Sequence, residues 1–317
     1  MKKTEFRFIS SDGIHRIHGV RWIPDTKPKA VLQITHGMCE YIERYEEFAA
    51  FLCEQGFIVT GHDHLGHGDS VFTEDELGFF ALGRPCPLLL KDMHRLSLHT
   101  QRLYPDLPYF MLGHSMGSYL LRCYLSVYQP EIAGAIIMGT GFESPLTAAF
   151  AVGLCHVLAA VRGWRYRSRL IQQLTMDSGA YRAFNTDGKD PANSWLSKNV
   201  ENVQEYYANK KCRFRFTLNG YLGLLEAVRM SCSRSAIRRI PAKLPLMVIS
   251  GEEDPVGNMG EGVKEFARCL EHHGMQDLQC VLLPGDRHEV LNETDRREVF
   301  RLLLNWMEQR MQRMPGM

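Results

Sequence analysis

The sequence has almost no net charge: 37 Lys and Arg stand against 36 Asp and Glu, which leaves +1. That balance gives no electrostatic case for a nucleic-acid partner. Its nine cysteines (39, 53, 86, 123, 155, 212, 232, 269 and 280) are odd in number, contain no Cys-x-x-Cys pair and sit mostly among apolar neighbours. A disulfide framework is disfavoured, and reduced cysteines packed inside a cytoplasmic protein are expected. The chain opens with Lys2-Lys3, yet Glu5 and Arg7 interrupt what a secretory leader would need as an apolar region, so secretion is not expected. Charge is also missing from Ser144 to Val161, a stretch long enough to suggest a membrane span. It holds Ser144, Thr147, Gly153 and His156 and lies mid-chain between two strand-like segments, so a helix over the core, lining a pocket, is expected instead. A sharper version makes it a lid helix in peripheral contact with lipid, helped by the aromatics and cations of Trp164-Arg-Tyr-Arg-Ser-Arg169.

What is present is the composition of a soluble globular protein, 45% apolar and 23% charged. A chain of 317 residues fits one α/β catalytic domain with an insertion. The organising stretch is Tyr109-Phe-Met-Leu-Gly-His-Ser-Met-Gly-Ser-Tyr-Leu-Leu121, an apolar run that becomes Gly113-x-Ser115-x-Gly117 and then a helix-like segment. Composition alone would produce such a Gly-Ser-Gly pattern in roughly one chain in ten of this length, so the strand-turn-helix context is what carries it. In a nucleophile elbow the serine sits at the apex of a sharp turn, and glycines flank it because side chains would collide with neighbouring backbone.

Around this stretch the chain reads as strands alternating with helices. Residues 5–9 and 15–23 alternate as two antiparallel strands across the Ser10-Ser-Asp-Gly13 turn. Ala30–Thr35 and Phe57–Thr60 are buried strands with a helical pattern from Tyr41 to Gln55 between them, and Gly61–Ser70 reads as a loop. A helix follows Pro87 to about Tyr104; strands are expected at 109–114, 132–138, 246–250 and 278–283, and a helix closes the chain at 294–311. This pattern predicts an eight-stranded, mostly parallel α/β sheet with helices on both faces. The alternation breaks once, for about a hundred residues before Leu246. We therefore expect a core of residues 1–143 and 240–317, with a helical cap, residues 144–239, inserted after the sixth strand.

A serine hydroxyl needs a histidine to take its proton and a buried carboxylate to fix that histidine's tautomer. After an elbow of this kind the chain order is serine, acid, histidine. Asp254 in Ser250-Gly-Glu-Glu-Asp-Pro-Val-Gly257 fits the acid, with Glu252 and Glu253 as rivals, and His288, just past the last strand, fits the base. His272 and His273 precede that strand and read as surface. An oxyanion hole needs two N–H donors, expected from Met116 after the nucleophile and from Met38 in the loop after the third strand, with His36, Gly37, Gly113, His114 and Gly117 supporting both turns. No cofactor or metal is required.

The segments His36-Gly-Met-Cys-Glu-Tyr-Ile-Glu-Arg-Tyr45, Asp63-His-Leu-Gly-His-Gly-Asp-Ser70, Gly113–Gly117, Asp254–Gly257 and Arg287-His-Glu-Val-Leu-Asn-Glu293 together resemble the α/β-hydrolases of the monoacylglycerol lipase and lysophospholipase group, which is serine aminopeptidase S33-like. The similarity runs from about residue 10 to residue 305 and includes Ser194-Trp-Leu-Ser197 and the Tyr206 to Phe216 stretch of the cap. It implies the α/β-hydrolase fold and hydrolysis of a carboxylic ester, often a monoacylglycerol or lysophospholipid, through an acyl-enzyme. The chain departs from many members at Glu40-Tyr41, where they carry Glu-His, and at bulky Met38-Cys39. A small-acyl carboxylesterase, a thioesterase or a peptidase would use the same constellation.

Two readings from other classes compete. His62-Asp-His64-Leu-Gly-His67 is close to the H-x-H-x-D-H signature of zinc hydrolases, but the required aspartate is Gly66. The alternative role for these histidines is to shape the loop after the fourth strand, with Asp63 fixing its turn. A non-catalytic binding protein is the other competitor, and the joint presence of Ser115, Asp254 and His288 argues against it.

Overall fold

A computed structural model describes residues 1–176 and 179–313; residues 177–178 of the expected cap and 314–317 of the expected core lie outside. The elements, in chain order, are β1 (Lys2–Ile9), β2 (Arg16–Ile23), β3 (Ala30–Thr35), α1 (Glu46–Glu54), β4 (Phe57–His62), α2 (Pro85–Leu103), β5 (Tyr109–His114), α3 (Met116–Tyr128) and β6 (Gly134–Met138). Next come α4 (Pro145–Arg162), α5 (Arg169–Met176), α6 (Val200–Ala208), α7 (Leu218–Ser231) and α8 (Arg234–Ile237). The chain finishes with β7 (Leu246–Gly251), α9 (Glu261–His272), β8 (Leu278–Leu283) and α10 (Arg296–Met311). The eight strands form one sheet in the order β1-β2-β4-β3-β5-β6-β7-β8, antiparallel at β1-β2-β4 and parallel from β4 to β8.

The central strands are buried on both faces, and their alternate residues enter two separate cores. Tyr109 and Met111 of β5, Ala135 and Ile137 of β6, and Leu246 and Val248 of β7 face the core built with α2, α3, α7 and α9. Phe110, Leu112, Ile136, Met138, Met247 and Ile249 face the one built with α1 and α10, where Phe48, Phe300, Leu303 and Trp306 pack. This is the α/β-hydrolase fold, with helices on both faces.

Beyond shifts of one to three residues at the ends of elements such as β1, α2, β6 and α10, two details differ from the expectation. The helical pattern from Tyr41 is split into a 3-10 turn at Ile42–Tyr45 and then α1. The loop expected from Gly61 begins two residues later, because Gly61 and His62 still pair with Val20 and Gly19 of β2; the loop is also buried almost throughout.

Between β6 and β7 the described residues contribute helices and no strand of the sheet. α7 is largely buried and packs against α2, α3 and α4. α4 is different: among the described residues it is the one helix long and apolar enough by length and composition to cross a membrane, and only 17% of it is buried.

Candidate active site

The elbow follows from backbone crowding. Ser115 has φ 55° and ψ −122°, a conformation sparsely occupied by non-glycine residues that costs on the order of 1–3 kcal/mol. A Cβ on Gly113 would lie 2.3 Å from the Gly117 carbonyl oxygen, and one on Gly117 would lie 2.1 Å from the Thr35 carbonyl oxygen. Only glycine lets β5, α3 and the end of β3 approach this closely. The Ser115 amide donates to the Met138 carbonyl at 3.0 Å, which ties the apex to β6.

Asp254 follows β7 and is fully buried. Its carboxylate lies 3.0 and 3.1 Å from His288 Nδ1, accepts from Ser250 Oγ at 2.7 Å and from the Val256 amide at 2.9 Å. Burial alone would raise its pKa; the His288 ring and the two further donors outweigh it and hold the carboxyl below its usual range. Of the rivals, Glu252 is exposed, and Glu253 faces Arg287 with its side chain 45% exposed. Ser115, His288, Met38 and Met116 line one cavity of about 890 Å³. Its walls are mainly apolar, with Ala148, Phe150, Ala151 and Leu154 from α4 and Leu224, Leu225 and Val228 from α7.

The loop after β3 lies against the elbow, since a Cβ on Gly37 would be 2.8 Å from Ser115 Cβ. Its amides are divided in use. Gly37 N–H donates to Glu40 Oε1 and Cys39 N–H donates to His67 Nε2 at 3.3 Å, with Cys39 in the left-handed region at φ 55°. Among the described residues, Met38 N–H and Met116 N–H donate to no group of the protein.

The histidine-rich loop braces this arrangement. His36 Nε2 accepts from the His64 amide at 3.0 Å, and its Nδ1 faces the Gly37 carbonyl at 2.8 Å. His67 Nδ1 faces the Leu65 carbonyl, so its Nε2 is left as the acceptor for Cys39. Burial pushes His62 and His67 down to about 3 and keeps them neutral. The three histidines of the zinc alternative are not brought together as ligands. Among the described residues the grouping that could hold a cation is His18, Asp63 and Asp69, and Asp63 there is engaged by His18 and by the amides of Ile42 and Asp69.

One part of the site has no counterpart in the sequence expectation. His114, expected only as elbow support, places Nδ1 2.9 Å from Glu40 Oε1 and Nε2 3.3 Å from the His288 carbonyl oxygen. Burial would lower its pKa, but the charge and hydrogen bond of Glu40 raise it above the ordinary value, and both ring nitrogens face acceptor oxygens. Glu40 also accepts from Tyr45 Oη at 3.0 Å and Arg44 at 3.3 Å, and Arg44 makes a bidentate pair with Glu289 at 2.6 and 2.8 Å. Trp195, from the segment between β6 and β7, packs its ring 5.0 Å from that of His288. Arg44 four residues after Glu40 was the one local signal of this network; partners such as Glu289 and Trp195 are distant in sequence.

The family model described as serine aminopeptidase, S33, matches residues 26–295. A protein of Mycolicibacterium smegmatis named monoacylglycerol lipase is 26% identical over 310 residues, covering 96% of this chain and 97% of its own. A Monkeypox virus protein named monoglyceride lipase homolog is 25% identical over 293 residues, covering 90% and 92%. Among solved structures, a highly thermostable carboxyl esterase from Bacillus coagulans in complex with glycerol superposes with a TM-score of 0.88 at 27% identity, covering 98% of this chain and 99% of that one.

Proposed function

Because the chain belongs to the serine aminopeptidase S33 family, we propose that Ser115, His288 and Asp254 are the catalytic triad of a serine hydrolase of carboxylic esters. The observation that carries this reading is the buried Asp254–His288 pair sharing one apolar cavity with a serine held at a strained elbow. His288 Nε2 takes the Ser115 hydroxyl proton as Oγ attacks the ester carbonyl, and then gives it to the departing alcohol. Asp254 holds the Nδ1–H tautomer. The negative charge that develops on the carbonyl oxygen is met by the amides of Met38 and Met116, each worth about 2.7–4 kcal/mol in the transition state by analogy with measured donors. Water, activated by the same histidine, releases the acid from the acyl-enzyme.

The substrate we assign is a monoacylglycerol or lysophospholipid-type ester. Its acyl chain would lie along the apolar walls from α4 and α7, which suits a cavity of this volume. Residues 144–239 act as the cap, with α7 as its seat on α2 and α3 and α4 as its outer cover. Leu146, Phe150, Val157 and Val161 are 82%, 75%, 64% and 79% exposed at helical spacing along one face of α4. We assign this face to peripheral contact with a lipid surface; the buried Cys155 and Ala159 keep the opposite face in the protein. Exposed Arg162, Arg165 and Arg169 lie beside it, and among the described residues none of them pairs with a carboxylate. Nine free cysteines, seven of them buried, suit the cytoplasm.

Initial rates over p-nitrophenyl esters from acetyl to palmitoyl, with monoacylglycerols in parallel and Ser115→Ala as the blank, test the substrate class. A maximum at medium or long chains is expected. Activity confined to acetyl and butyryl esters would overturn the lipid assignment.

A further inference from the structure

The segment that follows the cap's outer helices is fastened to the loop that carries His288. The Glu289 amide donates to the Leu196 carbonyl at 2.8 Å, Arg287 Nη1 donates to the Ser194 carbonyl at 2.7 Å, and Ser197 Oγ donates to Glu293 at 2.8 Å. Asn199 Nδ2 donates to the Asn292 carbonyl at 2.9 Å, and Lys198 pairs with Asp286. These bonds fix the backbone on both sides of Trp195. Its indole is 8% exposed and packs on His288 with ring centroids 5.0 Å apart and planes inclined at 32°. Tyr181 closes on the indole in a T-shaped contact with ring centroids 5.4 Å apart.

Resting on the triad reading above, we propose that Trp195 is a positioning residue for the reaction: it fixes the plane of the His288 ring and stabilises its protonated form. Asp254 holds one nitrogen of that ring, but a single hydrogen-bonded edge leaves the ring free to rock about that edge. A flat aromatic surface at stacking distance removes this freedom. When His288 takes the Ser115 proton, the imidazolium lies within the range in which an indole face attracts a cation, and both rings are buried. The need is specific to this site, because His114, whose pKa the Glu40 carboxylate raises, stands on the same ring at 4.8 Å. Acylation and deacylation both pass through the His288 imidazolium, so both steps gain.

The test compares Trp195→Leu and Trp195→Phe with the wild-type chain in steady-state hydrolysis of a short p-nitrophenyl ester, with thermal unfolding alongside. Trp195→Leu is expected to lose about tenfold in kcat with KM little changed, and Trp195→Phe to recover most of the loss. Should Trp195→Leu not fold, protein made with fluorinated tryptophans, whose ring faces are progressively less negative, supplies the second measurement. Wild-type kcat should fall as fluorine is added, and that of Trp195→Phe should not. A folded Trp195→Leu with wild-type kcat, a change in KM alone, or a wild-type kcat indifferent to fluorination overturns the proposal. An active Ser115→Ala would overturn the triad itself, and this role with it; a normal Trp195→Leu beside an inactive Ser115→Ala would overturn this role alone.

Discussion

His114 donates from Nδ1 to Glu40 Oε1 over 2.9 Å, one residue before the elbow serine. Both groups are buried, and the other ring nitrogen reaches the backbone of His288. A charged pair is thus built into the wall of the cavity, between the oxyanion loop and the histidine loop.

Removing one member of a buried pair leaves the other uncompensated. Glu40→Gln should therefore destabilise the protein by about 3–5 kcal/mol in chemical unfolding. A loss below about 1 kcal/mol would mean that the pair is solvated and weak.

The same pair predicts a pH dependence. His114 has its folded pKa raised, so its contribution is complete below the unfolded value of about 6.5 and is lost as pH rises through the folded value. Glu40 has its folded pKa depressed: burial opposes this, but His114 and Arg44 prevail, so its contribution is present above about 4.3 and is lost as pH falls. The difference in unfolding free energy between wild type and His114→Gln should be largest between about pH 5 and 6.5 and should shrink toward alkaline pH. A difference independent of pH would show that His114 stays neutral.

Gly37→Ala tests the oxyanion loop through its backbone, which side-chain deletion at Met38 or Met116 does not. The new Cβ would stand 2.6 Å from Glu40 Oε1 and 2.8 Å from Ser115 Cβ, so the loop must shift. Loss of one aimed donor predicts a fall of about 10²–10³ in kcat with the fold retained by circular dichroism. Wild-type kcat in this variant would place the donor elsewhere.

The fold was legible where the pattern reflects burial on both faces of the sheet. β3, β5, β6 and β7 fall where their apolar runs lie, and Gly113 and Gly117 mark the elbow because a side chain would meet the Gly117 carbonyl at the first and the Thr35 carbonyl at the second. The split before α1 was not legible, since apolar periodicity does not separate a 3-10 turn from the helix it leads into. Asp254 and His288 could be placed because each follows a strand of the sheet. Glu40 could be seen only as a family motif residue, because its partner His114 lies 74 positions away and meets it only once β3 and β5 are paired. Trp195 was legible as a cap feature and no more; its place on His288 depends on the hydrogen bonds that join two distant loops.

Lipid contact by α4 predicts a separation of two activities. Leu146, Val157 and Val161 are exposed and do not line the cavity. Replacing all three by serine should leave hydrolysis of a soluble short-chain ester unchanged, while sedimentation with vesicles containing anionic lipid, and hydrolysis of monoacylglycerol held in them, should fall severalfold. Equal binding of both proteins to the vesicles would show that α4 is covered by something other than lipid.

The central claim is that Ser115 is the nucleophile, and a covalent label reads it directly. The protein is inactivated with a long-chain p-nitrophenyl phosphonate, and the adduct is located by peptide mass spectrometry while residual activity is followed. One adduct per chain, on Ser115, in proportion to the activity lost, is the predicted result. Loss of activity with the label on another residue, or full activity with Ser115 labelled, would contradict it.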